Sequence, residues 1–103
     1  MSPVNRNFLK QAQQMQAKLM AAQEELAAAT VEASAGGGAV KVTATGAQVL
    51  TAITIDPAAV DPADVDLLQD MVLAAVNEAL AKSQQMASER MSAITGGMKL
   101  PGM

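Results

Sequence analysis

The sequence lacks four residue types that carry much of protein chemistry: it contains no cysteine, histidine, tryptophan or tyrosine. Without histidine and cysteine, the usual general base, the thiol nucleophile and the commonest metal-binding side chains are missing. The absence of cysteine also excludes a disulfide, which fits a reducing cytoplasm. We therefore expect a cytoplasmic protein that is not an enzyme and that binds no cofactor and no metal.

Long apolar runs are absent as well. A membrane-spanning helix needs about 20 consecutive, mostly apolar residues, and the sequence has no such run and no signal peptide. Half of the 103 residues are hydrophobic, but many are alanine and the only aromatic residue is Phe8. A chain with so few large side chains fills a globular core poorly, which favours burial against a second copy.

Charge is distributed unevenly along a chain whose net charge is −3. Residues 1–50 carry four basic and three acidic groups, whereas residues 51–103 carry three basic and seven acidic groups. The segment around Arg6, Lys10 and Lys18 is rich in amide side chains and contains no acid. From the residues alone, it is either an ordinary solvated helix face or a surface that contacts a polyanion.

A long first helix is predicted over residues 3–29, with Ser2 as N-cap and Pro3 at the first helical position. Its apolar residues recur at alternating steps of four and three, which is the period of a coiled-coil seam. The seam consists of Phe8, Ala12, Met15, Leu19, Ala22, Leu26 and Ala29. This pattern predicts packing against another helix along the whole length.

A second long helix is predicted over residues 62–95. Asp61 is the expected N-cap, Pro62 the first helical residue, and Gly96 the stop signal. Acidic side chains cluster at its start, where negative charge favours the helix dipole. The cluster is therefore expected to serve the helix start, although a carboxylate site remains a chemical alternative.

Between the helices, the pattern changes to alternation of apolar and polar residues, which predicts strands. Three strands are expected, over residues 30–35, 40–45 and 49–55. Glycines 36–38 and Gly46-Ala47 supply the connecting turns. The glycine run is not a phosphate loop, because a strand follows it instead of Gly-Lys-Ser/Thr and a helix.

The element order predicts an α+β fold, α-β-β-β-α, with a three-stranded antiparallel meander and two long helices. Residues 1–97 are expected to form one domain and residues 98–103 a flexible tail. Helices this long extend past a small sheet with apolar stripes uncovered. A homodimer with projecting helical arms is the simplest way to cover them.

Six segments of the chain, in fixed order and spacing, carry a family resemblance. They are "LKQAQQMQAKL" at 9–19, "EEL" at 24–26, "VKVTATGAQ" at 40–48, "ITIDP" at 53–57, "DLLQDMVLAAVNEAL" at 66–80 and "ERMSAITGGMKLPGM" at 89–103. Together they resemble the YbaB/EbfC family of bacterial nucleoid-associated proteins. The resemblance implies a homodimer whose helices project like tweezer arms, and which binds DNA in the nucleoid and affects its organisation or gene expression.

The DNA-binding residues that the resemblance implies are the basic residues of both helices and the tail. They are Arg6, Lys10, Lys18, Lys82, Arg90 and Lys99. Expected partners are thus DNA and a second copy, with no membrane and no small-molecule substrate. A second hypothesis stays open: a protein-interaction module that docks a partner through exposed apolar helix ends, without binding DNA.

Overall fold

The computed structural model describes residues 6–96. The expected start of the first helix at Ser2 and Pro3, the domain end at residue 97 and the tail with Lys99 lie outside these residues. The elements follow the predicted order: α1 (Arg6–Ala28), β1 (Thr30–Ala35), β2 (Val40–Thr45), β3 (Leu50–Ile55) and α2 (Val65–Thr95), with a short 3-10 helix, Pro57–Ala59, before α2. The α+β class and the element order are confirmed. The 3-10 helix was not anticipated by the sequence pattern.

The three strands form one antiparallel sheet in the order β1-β2-β3. Val42 is paired with Ala33 on one side and with Ile53 on the other, so these side chains share a face. The β1–β2 turn places all three of its glycines, 36–38, at positive φ between 64° and 94°. L side chains avoid this region, which explains the glycine run.

The core lies between this face and α2. Val40, Val42 and Ala44 on β2 are fully buried against Ala75 and Ala79 on α2. Alanines on α2 allow the helix and the sheet to approach closely, and the valines of β2 fill the space between them. Further along α2, the Ser83 hydroxyl is also buried and donates to the Thr45 carbonyl oxygen at 2.5 Å.

Helix α2 lies over β1 and β2 and leaves most of β3 uncovered, although Ile55 at the end of the strand packs against the core. On the face that holds fully buried Val42, its partner Ile53 is 46 % exposed, and Leu50 is 37 % exposed. β3 is also an edge strand. One chain thus leaves an apolar strip and an unpaired strand edge on the same side of the sheet.

The start of α2 differs from the prediction. Asp64, not Asp61, is the N-cap, and its carboxylate accepts a hydrogen bond from the Leu67 amide at 3.3 Å. Asp61 instead closes a preceding turn, accepting from the Ala63 and Asp64 amides. The predicted start at residue 62 is wrong by three residues, because either aspartate is chemically able to cap and the pattern does not rank them.

Helix α1 is anchored at its C-terminal end only. Ala22 and Leu26 are buried, whereas Phe8 near the other end is 64 % exposed. A Cβ on Gly46 would lie 2.7 Å from Leu26 Cδ2, so glycine permits the turn after β2 to pack directly on α1. Within residues 6–96, the buried members of the predicted whole-length seam lie at this end.

The uncovered end of α1 gives the molecule an elongated shape. Its principal extents are 75 × 29 × 20 Å and its radius of gyration is 20.3 Å, against about 13 Å for a compact domain of this length. Phe8 and Leu9 are exposed near the free end of α1, as expected for an apolar stripe that the sheet does not cover. No described helix is both long and apolar enough to cross a membrane.

Candidate nucleic-acid interface

The three cations of α1 are exposed, Arg6 and Lys10 on its projecting half and Lys18 at the border with α2. Arg6 and Lys10 are one helical turn apart, about 40° from each other around the axis, so they share one face. Lys18 lies about 12 Å further along the helix than Lys10 and is rotated by about 80° from it. In the described part of the chain, none of the three forms an ion pair.

The stretch of α1 that carries these cations contains no acidic residue. Residues 6–23 contain no aspartate or glutamate, and the first acid on the helix is Glu24. The glutamines at positions 11, 13, 14 and 16 are exposed between the cations. Such amides hydrogen-bond to phosphate oxygens or base edges. The projecting half of α1 thus presents positive charge and neutral polar groups to solvent.

Beside the cations, α1 carries an apolar groove. A concave surface of about 420 Å³ is lined by Phe8, Gln11, Ala12, Gln14, Met15 and Lys18. It lies on the part of the seam that α2 does not cover. This groove supports the alternative hypothesis that the protein docks a partner through an apolar helix end.

Lys82 on α2 is placed differently. Its ammonium donates to the Glu32 carbonyl oxygen at 2.9 Å and lies 3.7 Å from the Glu78 carboxylate. Glu32 belongs to β1, which is an edge strand, so the ammonium satisfies a backbone acceptor that no neighbouring strand reaches. The side chain fastens α2 to the sheet.

Arg90 is also engaged within the chain. Its guanidinium Nη2 lies 2.6 Å from Oε2 of Glu25 on α1, and the two side chains are 42 % and 58 % exposed. Arg90 and Lys18 also line one groove of about 320 Å³ between the helices, together with Ala21, Ala93 and Ile94. The groove brings one cation from each helix together.

The predicted site residues thus form two groups and one isolated member. Arg6 and Lys10 share a face, Lys18 and Arg90 share a groove, and Lys82 lies apart at the β1 edge. Lys99 lies outside the described residues. Sequence reasoning missed Glu25 as a member of this region, because periodicity along one helix carries no signal for a partner on another.

Three aspartates between β3 and α2, two of them from the predicted acidic cluster, have local partners. The Asp56 side chain accepts from the Ala58 amide at 2.9 Å, and Asp61 and Asp64 accept from amides in their own turns. Capping and turn closure account for these carboxylates. Within residues 6–96, no three acidic side chains are grouped as a metal ion would require.

Comparison with known proteins identifies relatives over nearly the whole chain. The model of the YbaB/EbfC DNA-binding family matches residues 2–98. A nucleoid-associated protein of Moorella thermoacetica is 63 % identical over 95 residues, covering 92 % of this chain and 91 % of that protein. One from Pelotomaculum thermopropionicum is 55 % identical over 96 residues, covering 93 % and 91 %.

A solved structure has the same fold. The crystal structure of an uncharacterized protein from Helicobacter pylori matches with a TM-score of 0.64 and 19 % sequence identity. The match covers 76 % of this chain and 90 % of that one. At this level of identity, the likeness concerns the fold alone.

Proposed function

Because this chain belongs to the YbaB/EbfC DNA-binding family, we propose that it is a nucleoid-associated protein that binds duplex DNA as a homodimer. Its place is the nucleoid, in the cytoplasm, where it organises DNA and influences gene expression. The names of the Moorella and Pelotomaculum relatives support this role. The observation that carries the proposal is the acid-free stretch of α1, residues 6–23, with exposed Arg6, Lys10 and Lys18.

Binding on this surface rests on phosphate contacts. Cations without an internal partner give up no protein contact when they meet a phosphate, and they release the counterions condensed on DNA. Such contacts position a protein without reading base sequence. The glutamines between the cations add neutral donors to the same backbone. The resulting protein binds DNA broadly, as an organising role requires.

The uncovered side of the sheet supports the proposed homodimer. Leu50 and Ile53 are exposed beside the free edge of β3, and a second copy related by a two-fold axis offers the same strip in return. Its packing there would bury both strips and leave both α1 arms free. Two arms give six α1 cations for one duplex.

We expect the α2 cations to contribute less to DNA binding than the α1 cations. Lys82 would have to leave a backbone carbonyl and a carboxylate to reach DNA, so we assign it to the fold. Arg90 has a single carboxylate partner and shares a groove with Lys18. It therefore contributes to DNA binding only when it is released from Glu25. Lys99 keeps its place as a candidate from the sequence.

Titration of duplex DNA across salt concentrations tests the function. We expect log K to fall linearly with log salt, with a slope of about −0.9 for each phosphate contact and about −5 if all six α1 cations engage. The same slope should hold for unrelated duplexes, because phosphates are common to all. Absence of duplex binding at low salt would favour the partner-docking module, whose apolar contacts in the Phe8 groove depend little on salt.

The substitution Ile53→Asp tests the dimer. Ile53 is half exposed in the single chain, so a carboxylate is tolerated there unless a second copy covers it. We expect sedimentation to give twice the chain mass for the original protein and the single mass for the variant. The control is Thr54→Asp, on the opposite face of β3, which should remain dimeric. An unchanged mass for Ile53→Asp would place the dimer contact elsewhere.

A further inference from the structure

Arg90 stands at the border of two grooves between the helices. One holds Lys18 with Ala21, Ala93 and Ile94. The other, of about 340 Å³, is lined by Glu25, Leu26, Ala29, Met86, Glu89 and Ala93, and Arg90 lines this one too. The guanidinium therefore borders a cationic groove and an acidic one, and its 2.6 Å contact with Glu25 is on the acidic side.

The ion pair that holds Arg90 is of a kind that a ligand can replace. Both side chains are about half exposed, and exposed ion pairs contribute little to stability because water screens them. A guanidinium forms strong, paired hydrogen bonds to phosphate as well as to carboxylate. A phosphate in the cationic groove meets Lys18 in addition, whereas Glu25 offers Arg90 one carboxylate only.

We propose that the groove between Lys18 and Arg90 is a binding site for one backbone phosphate of DNA, and that Glu25 competes with that phosphate for Arg90. The inference rests on the proposed DNA-binding function and deepens it. Glu25 lowers affinity by holding Arg90 on the acidic side, and a bound phosphate draws the guanidinium to the side of Lys18. Lys82 has no such exchange open to it, since one of its partners is a backbone carbonyl.

The variant Glu25→Gln removes the competing charge while keeping side-chain length and helix propensity. For the full-length dimer and a duplex of fixed sequence, we expect affinity to rise about threefold to fivefold. The slope of log K against log salt should steepen by up to about 0.9 for each arm. The matched control is Glu24→Gln, which removes the same charge from the neighbouring exposed residue and should raise affinity less than about twofold.

A second variant separates this exchange from the general effect of charge. In the background Arg90→Gln, the change Glu25→Gln should give no more than the Glu24→Gln change, because the guanidinium that it releases is gone. Circular dichroism and sedimentation establish that all variants are folded and dimeric. A gain for Glu25→Gln equal to that for Glu24→Gln, or a full gain that persists without Arg90, would overturn the inference.

The outcomes also distinguish this inference from the proposed function. If the unaltered protein binds duplex DNA and Glu25→Gln behaves like Glu24→Gln, the phosphate site fails and the DNA-binding function stands. If neither the unaltered protein nor Glu25→Gln binds duplex at low salt, both fail together.

Discussion

The two long helices hold their basic side chains in different ways. On α1, Arg6, Lys10 and Lys18 are exposed and form no ion pair within the described chain. On α2, Lys82 and Arg90 each lie within 3 Å of an oxygen of the chain itself. A helix packed on a sheet finds acceptors for its cations, whereas a projecting helix does not. Basic residues counted from the sequence are therefore not equally available to a ligand.

The difference follows from what each helix covers. α2 lies along the sheet, so Lys82 reaches the exposed backbone of the β1 edge and contributes to its protection. α1 has its buried residues, Ala22 and Leu26, near its C-terminal end, and no described element lies beside the end that carries Arg6 and Lys10. Its cations are exposed to solvent. The α2 cations therefore contact groups of the chain itself, whereas those of α1 are available to a partner.

Neutralising the α1 cations should produce the largest loss of DNA affinity among the variants that compare the two helices. We expect the combination Arg6→Gln, Lys10→Gln and Lys18→Gln to weaken duplex binding at least about 100-fold near 0.1 M salt, because three or more phosphate contacts are lost. The fold and the dimer should persist, since the three side chains are exposed. Fluorescence anisotropy with labelled duplex measures the loss.

The control for this variant makes the same change in net charge elsewhere. Lys41→Gln, Lys82→Gln and Thr54→Asp together leave α1 intact and change the net charge equally. We expect a much smaller loss, from long-range electrostatics alone. Equal losses in the two triple variants would mean that total charge, and not the placement on α1, governs binding.

Loosening the anchor of α1 should give an intermediate effect. In Gly46→Ala, the added Cβ would lie 2.7 Å from Leu26 Cδ2 and 2.8 Å from the Leu26 carbonyl oxygen, so the backbone must shift. We expect a loss of about 1–3 kcal/mol in the free energy of unfolding. DNA affinity should fall a few-fold, because α1 is then held less firmly in one orientation relative to the sheet. Denaturant unfolding and anisotropy give the two values.

Gly37→Ala serves as the comparison for that variant. Gly37 has a φ of +68° and open space around its Cα, so alanine there costs about 1–2 kcal/mol through backbone strain. It lies at the β1–β2 turn, away from the anchor of α1. DNA affinity should be unchanged for the folded fraction. If Gly37→Ala weakens binding as much as Gly46→Ala does, the effect reports stability and not the anchoring of the arm.

The parts of the fold that depend on local chemistry could be predicted from the sequence. The alternation of Val40, Val42 and Ala44 predicts a strand with one buried face, and the structure places all three in the core. The four-residue step from Arg6 to Lys10 predicts a shared face on any helix. The choice of cap before α2 could not be predicted, because Asp61 and Asp64 both begin acceptable turns.

Features that depend on tertiary packing could not be predicted from the sequence pattern. Lys82 meets a carbonyl 50 residues earlier in the chain, and nothing in the period of α2 predicts that contact. The seam of α1 predicts that Phe8 and Ala22 have the same role, yet one is 64 % exposed and the other fully buried. Periodicity gives the face of a helix but not how far along it a neighbour extends.

The most direct test of the difference between the helices compares one cation from each. Lys10→Gln and Lys82→Gln remove the same charge from exposed residues, and the measured quantity is the slope of log K against log salt for one duplex. We expect the slope to become shallower by up to about 1.8 for the Lys10→Gln dimer, which loses one contact on each arm, and to stay unchanged for Lys82→Gln. Equal changes in slope, or a larger change for Lys82→Gln, would contradict the assignment of DNA contacts to α1.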